Sequence, residues 1–133
     1  MADTSLSDKK IGLLIWNVSN FWQSKLRIIL KKYDLSLNQY LIIETLKLLK
    51  LDFQPTSQTK ISLYSGIDVS VVSVCLKSLE KKNLIKRNID KDNRKKVINI
   101  LSAGQKVFDE VYPQINKQEN YLFHKLQDEK INF

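Results

Sequence analysis

The sequence predicts a mainly α-helical fold with one small β-hairpin. Three observations carry this. Only three Gly and two Pro occur among 133 residues, too few for the many tight turns of an all-β chain. Apolar residues recur at steps of three and four over most of the length. Two short β-favouring runs flank a polar turn near residue 90.

Each element follows from its own pattern. Leu6 to Tyr33 reads as one long helix. Its stripe is Ile11, Leu14, Ile15, Val18, Trp22, Leu26, Ile29 and Tyr33. A second apolar set, Leu13, Trp16, Phe21, Ile28 and Leu30, widens that stripe beyond what one neighbour needs. Asp34-Leu35-Ser36 breaks the pattern, and Ser36 with Gln39 is a capping-box signature. A second helix runs from Leu37 to about Leu49, with Tyr40, Ile43, Leu46 and Leu49 inward. Lys50 to Thr56, with Pro55, is a loop.

Ser57 to Ser65 is a short third helix with Ile61 and Tyr64 as core. Gly66 ends it in the left-handed conformation of a tight turn. A fourth helix starts at Asp68 or Val69 and runs to about Lys82, with Val69, Val72, Cys75, Leu76 and Leu79 buried. Asn83 supplies the left-handed cap after it. Leu84–Asn88 and Lys96–Ile100 form the hairpin strands. Ser102 with Gln105 gives a second capping-box signature. It opens a helix from Ala103 to about Leu126 that contains Pro113.

Composition removes whole classes of function. Hydrophobic residues make up 43% and charged residues 27%, an ordinary globular balance with enough apolar surface for a core. The longest apolar run, Ile11 to Trp16, is six residues, too short to span a bilayer. The mixed charges of Asp3, Asp8, Lys9 and Lys10 are unlike a signal peptide. Cys75 and His124 are the only residues of their types. A cysteine-based metal site, a Ser-His-Asp triad or a Cys-His dyad needs more partners than that. No Gly-rich phosphate loop occurs. The expectation is a cytoplasmic, non-enzymatic binding protein with no metal and no cofactor.

Charge placement points to the partner. The net charge is +8, and 19 of the 22 basic residues are Lys. An AT-rich genome alone produces such a composition, so the total decides little. The distribution decides more. Residues 77–96 carry net +6, against +2 for the rest of the chain. A clustered positive field of this kind attracts a phosphate backbone.

A short helix, a Gly turn, an amphipathic helix and then a basic hairpin make a winged helix-turn-helix. Its fourth helix would enter the major groove and its hairpin would reach the adjacent minor groove or backbone. The sequence therefore predicts about residues 36–100 as the winged part of a single domain. About residues 6–33 and 102–133 are the helical dimerisation part that flanks it.

At this level the chain resembles the MarR family of winged helix-turn-helix transcription regulators, over about residues 8 to 127. The resemblance rests on Gly66-Ile67-Asp68 leading into Val69 to Leu79. It rests further on Leu79-Glu80-Lys81-Lys82-Asn83-Leu84-Ile85-Lys86-Arg87, on Asp92-x-Arg94, and on Gly104. It implies a homodimer built from the first and last helices, a pseudo-palindromic operator and, usually, repression. It also implies release by a small-molecule effector or by cysteine oxidation.

Four positions depart from the family. Val74 stands where Arg or Lys is frequent, and Asn83 where Gly is usual. Leu101 replaces a frequent Thr, leaving Ser102 to cap. The sequence ends at Phe133, just after Asp128-Glu129-Lys130-Ile131 begins what resembles the family's further helix.

The candidate DNA-binding residues are of three kinds. Arg94, oriented by Asp92, would enter a narrow minor groove, with Lys91, Lys95 and Lys96 on phosphates. Ser70, Val71, Ser73, Val74 and Lys77 form the face of the fourth helix opposite its core. Exposed β-branched residues are poor choices for a solvated helix face, but valine methyls suit thymine methyls. An AT-rich operator follows. Ser57, Thr59 and Lys60, at the start of the third helix, would hold a phosphate. Trp16, Trp22 and Tyr33 are candidates to line an effector pocket, against the plainer reading as packing residues. Cys75 reads as core and His124 as surface.

The function expected is a sequence-specific repressor bound to double-stranded DNA as a homodimer, with no membrane partner. The alternatives are a winged-helix protein-interaction module and a non-specific DNA-binding protein.

Overall fold

A computed structural model describes residues 10–50, 56–89 and 96–127. The elements are α1 (Ile11–Lys31), α2 (Leu37–Lys50), α3 (Gln58–Ser65), α4 (Val69–Lys81), β1 (Ile85–Ile89), β2 (Lys96–Ile100) and α5 (Ser102–Gln127). Order and type agree with the sequence-based expectation. The chain forms two compact units. Of the described residues, one unit takes 10–34 and 111–127, and the other takes those between 35 and 110.

In the second unit, α2 packs against α3 and α4. Tyr40, Ile43, Leu46 and Leu49 are buried as expected, with Ile42 and Thr45 also inside. The Thr45 hydroxyl satisfies itself by donating to the Leu41 carbonyl at 2.7 Å. From α4, Val72, Cys75, Leu76 and Leu79 are buried. Each fully buried Val or Leu contributes about 1.5–3 kcal/mol by leaving water. β1 and β2 pair antiparallel, Ile85 opposite Ile100 and Arg87 opposite Ile98. The Ile98 N–H is taken by the Thr56 carbonyl at 3.1 Å, so the chain before α3 covers that edge of β2.

The local stop and start signals are mostly those expected. Ser36 and Gln39 form the reciprocal capping box, both bonds at 3.1 Å, worth about 1 kcal/mol. Gly66 takes φ 77° and Asn83 φ 59°, the left-handed caps that let α3 and α4 stop abruptly.

Four expectations fail, each for a physical reason. α1 ends at Lys31, and Tyr33 lies in the turn that Asp34 closes at φ 55°. Tyr64 is 57% exposed, because the two-turn helix α3 buries only Ile61. Val69 is exposed, since the first residue of α4 lies ahead of its packed stripe. In α1, Leu14 and Leu26 of the first apolar set and Leu30 of the second are buried, while Ile11 and Ile15 are exposed. Ser102 does not cap α5. The Gln105 N–H donates to the Leu101 carbonyl at 2.9 Å, and the Gln105 amide joins Lys47 Nζ and Asp109 instead.

Those Gln105 contacts, with Tyr40 and Phe108 lying ring-parallel at 6.4 Å, place the first turns of α5 in the second unit. In the first unit α1 meets the remainder of α5. Trp22 Nε1 donates to Glu119 at 3.0 Å, and the Gln114 amide donates to the Tyr33 hydroxyl at 3.0 Å. Among the described residues no single helix is long and apolar enough to cross a membrane.

Candidate nucleic-acid interface

The interface is built on α3 and α4. Ser57 caps α3 by accepting the Lys60 N–H at 3.2 Å. After Gly66 the chain turns, and α4 leaves at 118° to α3. The turn is tied by the Ser62 hydroxyl, which donates to the Ile67 carbonyl at 2.6 Å. Asp68 then caps α4, accepting from the Ser70 N–H at 3.1 Å and from the Ser70 hydroxyl. Hydrogen bonds from Ser70 hold the Asp68 carboxyl below its ordinary range.

The buried stripe of α4 fixes what the other face presents. Ser70, Val71, Val74 and Lys77 are exposed and Ser73 is half-buried. Val74 is 67% exposed, so the methyl groups expected on this face do face outward. Thr59 is exposed and Ser57 and Lys60 are half-buried at the start of α3. The structure thus brings the helical candidates onto two adjoining helices of one unit. Lys91, Asp92, Arg94 and Lys95 lie outside the described residues, and Lys96 is described only as the first backbone position of β2.

Two further ties hold this face. Gln39, on α2, donates to Ser78 Oγ at 2.8 Å and accepts from Lys82 Nζ at 3.1 Å. Arg87, on β1, pairs with Glu80 of α4 at 2.9 Å. The sequence reading missed the role of Asp68, although an Asp directly before an amphipathic run is an N-cap signal.

The three effector candidates separate. Trp22 lines an apolar cleft of about 430 Å³ in the first unit, with Leu14, Ile15, Val18, Ser19, Leu122 and Leu126. Trp16 is 64% exposed outside it, and Tyr33 is half-buried on Gln114. Cys75 is buried, and burial pushes its thiol up. His124 is exposed beside Phe123.

A glycine turn between two helices at this angle, followed by a hairpin, defines a winged helix-turn-helix DNA-binding protein. Comparison with known proteins narrows the class. The MarR family model matches residues 35–97. The HTH-type transcriptional regulator YdcH of Bacillus subtilis is 25% identical over 113 residues, 84% of this chain and 77% of YdcH. S. aureus MepR in its DNA-binding conformation superposes with a TM-score of 0.76 at 25% identity, over 91% of this chain and 88% of MepR. Bordetella bronchiseptica BpsR, whose DNA binding is regulated by 6-hydroxynicotinic acid, superposes with a TM-score of 0.74 at 16% identity, over 86% and 80% of the two chains. Over residues 35–97 the chain is thus similar to the MarR family, and along most of its length it is similar to DNA-binding transcriptional regulators.

Proposed function

We propose that this chain is a repressor that binds a pseudo-palindromic, AT-rich operator as a homodimer. The observation that carries the reading is the outward face of α4, where Val71 and Val74 stand exposed among Ser70, Ser73 and Lys77. Apolar methyls on a solvated helix gain nothing by themselves. Against thymine methyls in a major groove they bury surface and discriminate A·T from G·C. No Arg on this face is available for bidentate reading of guanine. The basic cluster of residues 77–96 supplies the phosphate term, with Ser57, Thr59 and Lys60 on the backbone and Asp92-Arg94 in the minor groove.

The dimer is supported by the first unit. Ile11, Leu13, Ile15 and Trp16 of α1 and Tyr121 and Phe123 of α5 are exposed around the cleft described above. A second protomer seated there would bury them, and such an interface needs roughly 1,000 Å² or more. A small-molecule effector is part of the proposal by likeness to BpsR, with Trp22 as its reporter.

The test is fluorescence anisotropy with duplexes from the gene's own upstream region and a shuffled control, at about 50 to 200 mM salt. The expected result is preference for the upstream duplex, weakened about tenfold or more in Arg94→Ala and in the Val71→Ala, Val74→Ala double variant. Two protomers per duplex are expected by sedimentation. Equal binding to both duplexes would sink sequence specificity, and a single protomer per duplex would sink the dimer.

A further inference from the structure

Gln39 stands in the first turn of α2, and its side chain serves two helices at once. Its Oε1 accepts from the Ser36 N–H at 3.1 Å, closing the capping box of its own helix. Its Nε2 donates to Ser78 Oγ at 2.8 Å, and Oε1 also accepts from Lys82 Nζ at 3.1 Å. The box needs neither Ser78 nor Lys82. What those two bonds hold is the far end of α4.

Their place on α4 decides what they control. Ser78 follows Val71 by about two helical turns and Lys82 follows it by about three, so all three share one flank. Glu80 follows Ser73 by about two turns, on the opposite flank, and pairs with Arg87 of β1 at 2.9 Å. Between the flanks lies the buried stripe of Val72, Cys75, Leu76 and Leu79. Apolar burial has no direction, and a small roll of the helix about its axis costs it little. Hydrogen bonds are directional. α4 is therefore held against rolling by one polar tie on each flank.

Roll decides where Val71 and Val74 point. Their methyls lie about 6 Å from the helix axis, and a roll of about 20° moves them by about 2 Å, enough to lose a contact made at about 4 Å. The lysines on phosphates follow such a roll with their long flexible stems. We infer that Gln39 is a positioning residue for recognition by α4: through Ser78 and Lys82 it fixes the roll at which the valines face the bases. This rests on α4 being the groove-entering helix, as proposed above. Gln39 thereby governs discrimination between sequences and leaves the phosphate term alone.

The experiment begins with a duplex selected from a random library by the full wild-type chain. Fluorescence anisotropy at fixed salt gives the ratio of affinities for that duplex and a shuffled one. Thermal melts followed by circular dichroism give the stability of each variant. Ser78→Ala removes a tie and leaves the box. Ser36→Ala removes one box bond and leaves both ties. Ser78→Ala and Gln39→Leu should lower the ratio about tenfold, with the affinity for the shuffled duplex unchanged. Ser36→Ala should lower the melting midpoint and keep the wild-type ratio. Gln39→Glu should keep the ratio too, since Glu serves equally in a capping box and its carboxylate accepts from the Ser78 hydroxyl and from Lys82.

Gln39 has no positioning role if Ser78→Ala lowers the midpoint but not the ratio. It has none, equally, if Ser36→Ala lowers the ratio as far as Ser78→Ala does, because a purely structural contribution makes the two alike. The Val71→Ala, Val74→Ala variant separates the two levels of failure. A ratio that falls there, but not in Ser78→Ala, sinks the role of Gln39 and leaves that of α4 standing. A wild type without sequence preference at any salt sinks both.

Discussion

The Arg87 guanidinium donates to the Glu80 carboxylate at 2.9 Å, joining the first strand of the hairpin to the last turns of α4. Hairpin and helix are thereby tied at their common base, on top of the packing of α4 against β1. The Arg87 side chain is 17% exposed and that of Glu80 39%, so water screens one side of the pair.

Glu80→Gln should therefore cost only about 0.5–1 kcal/mol. Urea unfolding at low salt measures it. The loss should shrink near 1 M NaCl, where screening reaches about 3 Å. A loss that is unchanged at high salt would mean that packing, not charge, holds the two together.

Gly104→Ala should be far more damaging. A Cβ on Gly104 would overlap the Leu84 carbonyl oxygen and lie 2.9 Å from Ile100 Cγ2. Leu84 cannot easily yield, because its N–H donates to Leu79 at 3.1 Å and its carbonyl accepts from Leu101 at 2.9 Å. We expect a loss of about 2–3 kcal/mol, read as a lower urea midpoint with little change in slope. An unmoved midpoint would refute the close approach.

The Asp68 cap predicts a pH dependence. Its carboxyl is lowered on folding by the bonds from Ser70, so the unfolded state binds its proton more readily. The stabilisation is present above the unfolded value, about 4, and is lost as pH falls through the lower folded value. Asp68→Asn has no such titration. The stability difference between wild type and Asp68→Asn, followed by thermal melts from pH 6 to pH 2.5, should be constant down to about pH 4 and change below it. A difference that stays flat throughout would show that the carboxylate does not cap α4.

Two identical signals show how far the sequence could be read. Ser36-x-x-Gln39 and Ser102-x-x-Gln105 have the same spacing. The first forms its box. The second does not, because Lys47 from α2 and Asp109 take the Gln105 amide at 2.6 and 2.8 Å. Nothing within four residues of Ser102 announces Lys47. The same limit explains the apolar residues. Periodicity marked Val72, Cys75, Leu76 and Leu79 correctly, and Val71 and Val74 as outward. It also placed Tyr64 and Val69 inside, where no partner surface reaches them.

What the sequence determined by itself was therefore the order of elements, the glycine turn, the left-handed cap at Asn83 and the outward face of α4. Each depends on backbone preference or helical repeat within a few residues. The tertiary structure decided which side chains are buried, and which of two equal caps forms. It also showed that Gln39 reaches Ser78 and Lys82 of α4. Burial and hydrogen-bond choice are settled by competition among groups brought together in space, and a linear pattern does not contain its distant competitors.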